Sequence, residues 1–203
     1  MKKLSKKFVK EYLEEIRKLL DLIEADLTGQ IGKLAIILAE ARQARKTIFI
    51  VGNGGSAATA SHFAGDLSKL TIAEGFTRFK AIALTDNTPS LLAWANDVNY
   101  EEIFVGQLRN LLEPGDIVIG ISASGNSMNV IKAIEYANKN GAFTIGFCGY
   151  DGGKLLKCAR ESILVPCTHM PRVEDIHMLM CHLLASLLLE ATKVKGTSLK
   201  KGK

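Results

Sequence analysis

The sequence has no run of about 18 uncharged apolar residues, so a membrane-spanning helix is not expected. Its four cysteines, Cys148, Cys158, Cys167 and Cys181, show no CxxC spacing. That removes the usual cysteine-based zinc and dithiol signatures and leaves reduced, mostly buried thiols as the expectation for a cytoplasmic chain. An export signal is missing too. The basic start, Met1-Lys2-Lys3-Leu4-Ser5-Lys6-Lys7, runs directly into Lys10, Glu11, Glu14 and Glu15, where a signal peptide needs an unbroken apolar region. Proline is scarce: Pro89, Pro114, Pro166 and Pro171 are the only four, and each falls where an element should end. No linker or low-complexity stretch precedes the C-terminal tail.

Acids are absent from both ends. Residues 1–10 hold five lysines and residues 193–203 five more, with no acid in either stretch. Setting those ten aside leaves 16 of the 26 bases against 21 acids, so the body carries about −5 although the whole chain carries +5. A nucleic-acid-binding face is not built that way, and neither nucleic acid nor membrane is an expected partner. With 203 residues and 47% apolar composition, the chain fits one domain with a substantial core.

Leu4, Phe8, Tyr12, Ile16, Leu19, Leu20 and Ile23 recur at spacings of three and four, which predicts an amphipathic helix over 4–27. A second helix, roughly 29–44, follows with no strand between. From residue 47 the pattern changes to short apolar runs: Thr47–Val51, Ala81–Leu84, Ile117–Ile121, Thr144–Phe147 and Ile163–Val165. Helical stretches near 56–69, 88–110, 127–139, 152–159 and 172–192 alternate with them. Continuous apolar strands alternating with helices predict an α/β fold, a doubly wound five-stranded parallel sheet of flavodoxin-like order with an N-terminal helical extension. The expected units are a helical segment at 1–45, an α/β domain at 46–192 and a basic flexible tail at 193–203.

Two segments echo each other. Val51-Gly-Asn-Gly-Gly-Ser-Ala and Ile121-Ser-Ala-Ser-Gly-Asn-Ser both read strand, then polar turn, then helix. A helix start presents unpaired N–H groups and a partial positive charge, so it holds an anion without a cationic side chain. Ser122, Ser124 and Ser127 with Gly125 and Asn126 make a candidate phosphate cradle, and Asn53, Gly54, Gly55 and Ser56 a comparable turn. Either alone reads as a tight turn with a serine cap; two at the carboxyl ends of parallel strands would flank one crevice. Gly52-x-Gly54-x-x-Ala57 also matches the dinucleotide fingerprint, but Asp86 stands over 30 residues on, too far for the ribose acid, and Ser122–Ser127 would be left unexplained.

His62 and Asp66 are one helical turn apart and share a face. Glu174, Asp175, His177 and His182 lie in the otherwise apolar last helix; His169 falls in a loop and reads as structural. Glu174 and His182, two turns apart, could face one cavity. An aldose–ketose isomerisation needs a carboxylate or similar base at the carbon beside the carbonyl and a donor that shuttles the oxygen-bound proton. Asp66, Glu174 and His182 are of the right types. Together with His62 they also form a plausible zinc set, so proton transfer and metal binding both stay open.

The ordered set Phe49-Ile-Val-Gly-Asn-Gly-Gly-Ser-Ala-Ala, Ala83-Leu-Thr-Asp-Asn, Ala95-Asn-Asp, Gly120-Ile-Ser-Ala-Ser-Gly-Asn-Ser, Gly149-Tyr-Asp-Gly-Gly-Lys and Val173-Glu-Asp-Ile-His through His182 resembles the bacterial phosphoheptose isomerases, a sugar isomerase (SIS) family. The resemblance implies conversion of sedoheptulose 7-phosphate to a heptose 7-phosphate through an enediol, in a cytoplasmic homotetramer whose N-terminal helices form the assembly core. It implies phosphate at Ser122, Ala123, Ser124 and Ser127, sugar contacts from Asn53, Gly54, Gly55, Asp66, Asn96, Asp97 and Glu174, a base at Asp66, an acid at His182, and one zinc per subunit among His62, Asp66, Glu174 and His182. The chain departs from the family pattern in having Asp66 for glutamate, Glu174 for glutamine, Ala123 for threonine and Lys69 for arginine. A carboxylate one methylene shorter is drawn back by roughly 1 Å, a displacement that can cost about a hundredfold in rate; the gain of Glu174 would compensate, either as the base itself or as an anionic metal ligand. A non-catalytic tetramer of this fold that associates with a replication initiator, and a sugar-phosphate sensor, are the alternatives. Retention of Asp66 and His182 favours the enzyme.

Overall fold

The computed structural model describes the backbone of residues 2–200 and the side chains of residues 4–193. Five strands form one parallel sheet: β1 (Thr47–Gly52), β2 (Lys80–Ala83), β3 (Ile117–Ser122), β4 (Phe143–Gly149) and β5 (Glu161–Val165). Their order is β2-β1-β3-β4-β5, so the chain winds outward from β1 to β2 and then returns across β1 to build the other half. β1 and β3 are therefore neighbours at the point where the winding reverses, with Gly52 opposite Ile121. In open sheets of this type the ligand crevice lies at that switch, beyond the carboxyl ends of the two strands.

Alternation along the strands feeds two helical layers. Ile48, Ile50, Ile117, Ile119 and Ile121 join one core with α2 (Thr28–Gln43), α3 (Gly55–Gly65) and α8 (Met170–Lys200). Phe49, Val51 and Val118 join the other with α5 (Val105–Leu111), α6 (Met128–Lys139) and α7 (Gly153–Cys158). Gly120 has no side chain because α6 presses on it; a Cβ there would stand 2.8 Å from Val130 Cγ1. By length and composition α8 could cross a membrane over Met170–Lys193. In the fold, Val173, Ile176, Met180, Leu184 and Leu188 make it a buried core helix.

The N-terminal helix α1 (Lys2–Leu22) continues through a π-helical turn (Ile23–Leu27) into α2, so no break separates the two expected helices. Only its second half is covered: Leu19 and Ile23 are buried, whereas Leu4 and Phe8 are 68% and 56% exposed. Polar contacts seat it on the first turn of α8. The Tyr12 hydroxyl donates to Asp175, the Arg172 guanidinium lies 4.7 Å over the Tyr12 ring, and Arg172 pairs with Glu15 at 3.0 Å. Of the expected flexible tail at 193–203, the helical backbone of α8 runs on to Lys200; the rest, and the side chains beyond Lys193, lie outside the described residues.

Two expectations are corrected. The helix anticipated over 88–110 is three pieces, α4 (Thr88–Asp97), a 3₁₀ turn (Tyr100–Glu102) and α5. Asn99 breaks it, with extended backbone and a side chain accepting from Glu101 N, as a helix cap does. The run at 81–84 is not buried on both faces, because β2 is an edge strand with Ile82 42% exposed.

His177 points away from the other polar residues of α8, into the core. Its Nε2 lies 3.2 Å from the Cys148 carbonyl, its ring packs on Phe147, and burial pushes its pKa down from 6.5 to about 4. The folded state keeps the ring neutral while the unfolded chain protonates it, so stability is intact above pH 6.5 and is lost as pH falls towards 4. A depression of this size corresponds to about 3 kcal/mol at full effect. Denaturant midpoints measured between pH 7 and 4 should fall accordingly, and His177→Gln should flatten that slope.

Candidate active site

The two polar turns stand side by side above β1 and β3. After β1, Gly54 takes φ +53° and opens α3, with Ala57 N bonded back to the Asn53 and Gly54 carbonyls. Glycine is required at Gly52, where a Cβ would lie 2.6 Å from the Ser56 carbonyl oxygen. After β3, Ser122 Oγ donates to Ser127 Oγ at 3.1 Å, Gly125 N bonds to the Ser122 carbonyl, and Ser124 Oγ accepts from Asn126 N at 3.2 Å. Gly125 has φ +64° and packs on the Gly152 carbonyl so closely that no side chain would fit. The loop after β4 braces this turn, since Gly149 N bonds to Ala123 O and Leu155 N to Gly125 O at 2.9 Å. Ala123 is buried, so it can offer a ligand only backbone. Ser127 caps α6 without a side-chain bond to the helix, which leaves the first N–H groups of a twelve-residue helix facing the turn.

Asn53 connects the turns. Its Nδ2 donates to Asn129 Oδ1 at 2.9 Å, and its Oδ1 accepts from Asn129 Nδ2 at 2.8 Å and from the Tyr100 hydroxyl at 2.9 Å. Neither Asn129 nor Tyr100 was singled out from the sequence. A polar residue two places past a serine cap, where a core-facing helix wants an apolar one, was the available signal.

Along α3 and α8 lies a second polar set. Asp66 begins a π-helical turn (Asp66–Leu70) directly after α3, a helix irregularity common at functional sites. Its Oδ2 lies 3.4 Å from His62 Nε2 and 3.8 Å from His182 Nε2, and the two imidazole nitrogens are 2.8 Å apart. Asp66 Oδ2 is buried without a hydrogen-bond partner. Three ligand-type atoms thus converge within 4.8 Å of one another. Tetrahedral zinc with ligands at about 2.0–2.1 Å needs donor atoms only slightly over 3 Å apart, so the set fits a divalent zinc by donor type and spacing.

Glu174, expected as the fourth ligand, does not join them. Its carboxylate lies against the Gly55 backbone, 2.5 Å from where a Cβ would be. The reason is the packing of two helices that run in the same direction. Gly55 meets Glu174 and His62 meets His182, so a step of seven residues along α3 and one of eight along α8 keep the contacts level along the axes. Glu174 therefore sits roughly 12 Å up the axis from His182, at the level of the glycine turn. Among the described residues its carboxylate has no hydrogen-bond or ion-pair partner. Asn96 and Asp97 are exposed at the end of α4, bonded to each other at 2.8 Å and not to either turn. Lys69 is exposed on the turn that Asp66 begins.

The metal-ligand geometry is testable without turnover. Titration with Zn²⁺ or Co²⁺ followed by calorimetry should show one site per chain. Asp66→Asn or His62→Ala should weaken it by at least tenfold, and Glu174→Gln should leave it unchanged.

Residues 11–149 match the SIS domain model. The phosphoheptose isomerase of Trichlorobacter lovleyi is 40% identical over 182 residues, covering 89% of this chain and 92% of the relative. The structure of the phosphoheptose isomerase from Neisseria gonorrhoeae superposes with a TM-score of 0.84 at 30% identity, over 90% of this chain and 97% of that one. The Francisella tularensis phosphoheptose isomerase gives 0.83 at 25% identity, over 91% and 97%. With this identity, coverage and structural similarity in agreement, the chain belongs to the phosphoheptose isomerase family of SIS-domain proteins.

Proposed function

We propose that the protein is a cytoplasmic sugar-phosphate isomerase that converts sedoheptulose 7-phosphate to a heptose 7-phosphate. The single observation that carries this reading is the presence in one fold of a serine turn at Ser122–Ser127, suited to an anion, and of the Asp66–His182 pair farther along the α3–α8 contact. The phosphate of a seven-carbon sugar sits at the opposite end of the carbon chain from the carbons that react. Ser122, Ser124 and Ser127 with the α6 N-terminus hold the phosphate. The chain then passes Gly54, Gly55 and Glu174, and the carbonyl end reaches His62, Asp66 and His182.

Isomerisation takes a proton from the carbon beside the carbonyl, forms an enediol and returns the proton to the neighbouring carbon. A base and a proton donor must stand close together for this. Asp66 and His182, 3.8 Å apart, meet that condition, whereas Glu174 has no imidazole beside it. Asp66 Oδ2 faces the histidines, which leaves Oδ1 to take the carbon-bound proton, and His182 carries the proton exchanged between the hydroxyl and carbonyl oxygens. Zinc held by His62, Asp66 and His182 would instead supply Lewis-acid polarisation of the carbonyl oxygen, engaging the same His182 Nε2 that otherwise moves the proton. Glu174, unpartnered beside the glycine turn, accepts hydrogen bonds from the sugar hydroxyls. The four free cysteines accord with a reducing compartment.

The exposed apolar residues of α1 (Leu4, Phe8, Val9 and Leu13) support a homotetramer built on the N-terminal helices. Phe8→Glu combined with Leu13→Glu should lower the sedimentation mass of the assembly.

Incubation with sedoheptulose 7-phosphate in deuterated water should give deuterium exchange at the carbon beside the carbonyl. Asp66→Asn should reduce that exchange by about a hundredfold or more, the usual contribution of a general base. Glu174→Gln should act mainly on KM. The reverse pattern, with exchange lost in Glu174→Gln and kept in Asp66→Asn, would move the base to Glu174. Ser124→Ala should weaken binding of the sugar phosphate more than of the unphosphorylated sugar.

A further inference from the structure

We infer that Asn129 and Tyr100 are positioning residues that hold the two ligand-binding turns at a fixed separation through the side chain of Asn53. The inference rests on the isomerase reading, since it concerns the same site. Beyond the last residues of β1 and β3 the hydrogen bonds of the sheet stop, so register no longer fixes where the turns lie relative to each other. What spans the gap is the reciprocal amide pair between Asn53 and Asn129, at 2.9 and 2.8 Å.

The chemistry of Asn129 fits a brace and not a filler. It is 2% exposed, and a buried amide must have its hydrogen-bonding groups met, so an apolar residue would serve a purely packing role better. Its Oδ1 accepts from both Asn53 Nδ2 and Val130 N, and its Nδ2 donates to Asn53 Oδ1. A planar amide bonded at both edges to another amide has little freedom to slide or rotate. The pair therefore fixes direction as well as distance.

Tyr100 closes a ring around this link. Its hydroxyl donates to Asn53 Oδ1, the same oxygen that Asn129 engages. The 3₁₀ turn that carries Tyr100 is fastened to α6 by Lys132, which pairs with Glu101 at 2.7 Å and Glu102 at 3.2 Å. From α6 the polar links run through Lys132, the 3₁₀ turn, Tyr100 and Asn53 to Asn129, which is itself on α6. Asn53 thereby has both acceptor positions and one of its two N–H groups occupied. It works chiefly as a strut, and the glycine turn presents backbone N–H groups of Gly54 and Gly55 to the sugar.

Kinetics and binding on the full-length protein test this. Asn129→Ala should lower kcat for the sugar phosphate by about ten- to hundredfold, the range expected for misplacement of reacting groups on the scale of 1 Å. Its affinity for inorganic phosphate, held by the serine turn and the α6 N-terminus without reference to the glycine turn, should change far less than kcat. Tyr100→Phe removes one hydroxyl from an exposed residue, so its folding is not at risk; a loss of about three- to tenfold is expected from one hydrogen bond. The double variant should lose less than the product of the two effects, because both act through Asn53. Variants that melt earlier but keep wild-type kcat and KM would overturn the inference in favour of a purely structural role. Absence of turnover in the wild type would instead count against the isomerase reading. The deciding quantity would then be the ratio of sugar-phosphate to inorganic-phosphate affinity, and an unchanged ratio in both variants overturns the inference by itself.

Discussion

Everything in the site depends on β1 and β3 being adjacent and parallel. Their carboxyl ends point the same way, so the turns that follow them share one crevice, and the helices that follow leave on opposite faces of the sheet. Each helix brings its N-terminus to that crevice. The proposed phosphate would then be held by neutral donors, serine hydroxyls and peptide N–H groups, inside a body whose net charge is negative once the lysine-rich ends are set aside. Close packing makes the arrangement specific. Gly52, Gly120 and Gly125 each stand where a side chain would strike Ser56, Val130 or the Gly152 carbonyl.

The second constraint is the parallel packing of α3 and α8. These helices are separated in sequence by four of the five strands, yet they meet level for level, Gly55 with Glu174 and His62 with His182. Acids and imidazoles thus stand at two heights along one pair of helices, which is what the proposed elongated sugar phosphate requires. α1 bears on this pair indirectly, because Tyr12 and Glu15 grip Asp175 and Arg172 on either side of Glu174.

Much of this could be read from the chain. The runs at 47–51 and 117–121 gave buried strands because apolar residues at every position suit only a strand covered on both faces. The glycine and serine turns were visible because φ above zero and unpaired helix N–H groups select a short list of residues. His62 and Asp66, one turn apart, were legible for the same local reason. The motifs that followed in order tied the chain to its family. Less legible were features that depend on partners distant in sequence. The run at 81–84 looked like its fellows, yet its place at the sheet edge exposes Ile82. His177 and His182 are polar residues of one helix, but they point in different directions, His177 into the core against Phe147 and His182 to His62, and no spacing along the chain showed that His177 is buried.

The sequence by itself determined the alternation of strands and helices, the two glycine- and serine-rich turns and the chemical types available for proton transfer, because these follow from local periodicity, backbone freedom and side-chain identity. Only the tertiary structure decided which of those groups meet. Helix levels are set by packing across the sheet, and that packing put Asp66 between two histidines, moved Glu174 two turns away to the glycine turn, and joined Asn53 to Asn129. No spacing along the chain carries that information, since residues 53 and 129, or 62 and 182, are brought together by the strand order and the shapes of side chains between them.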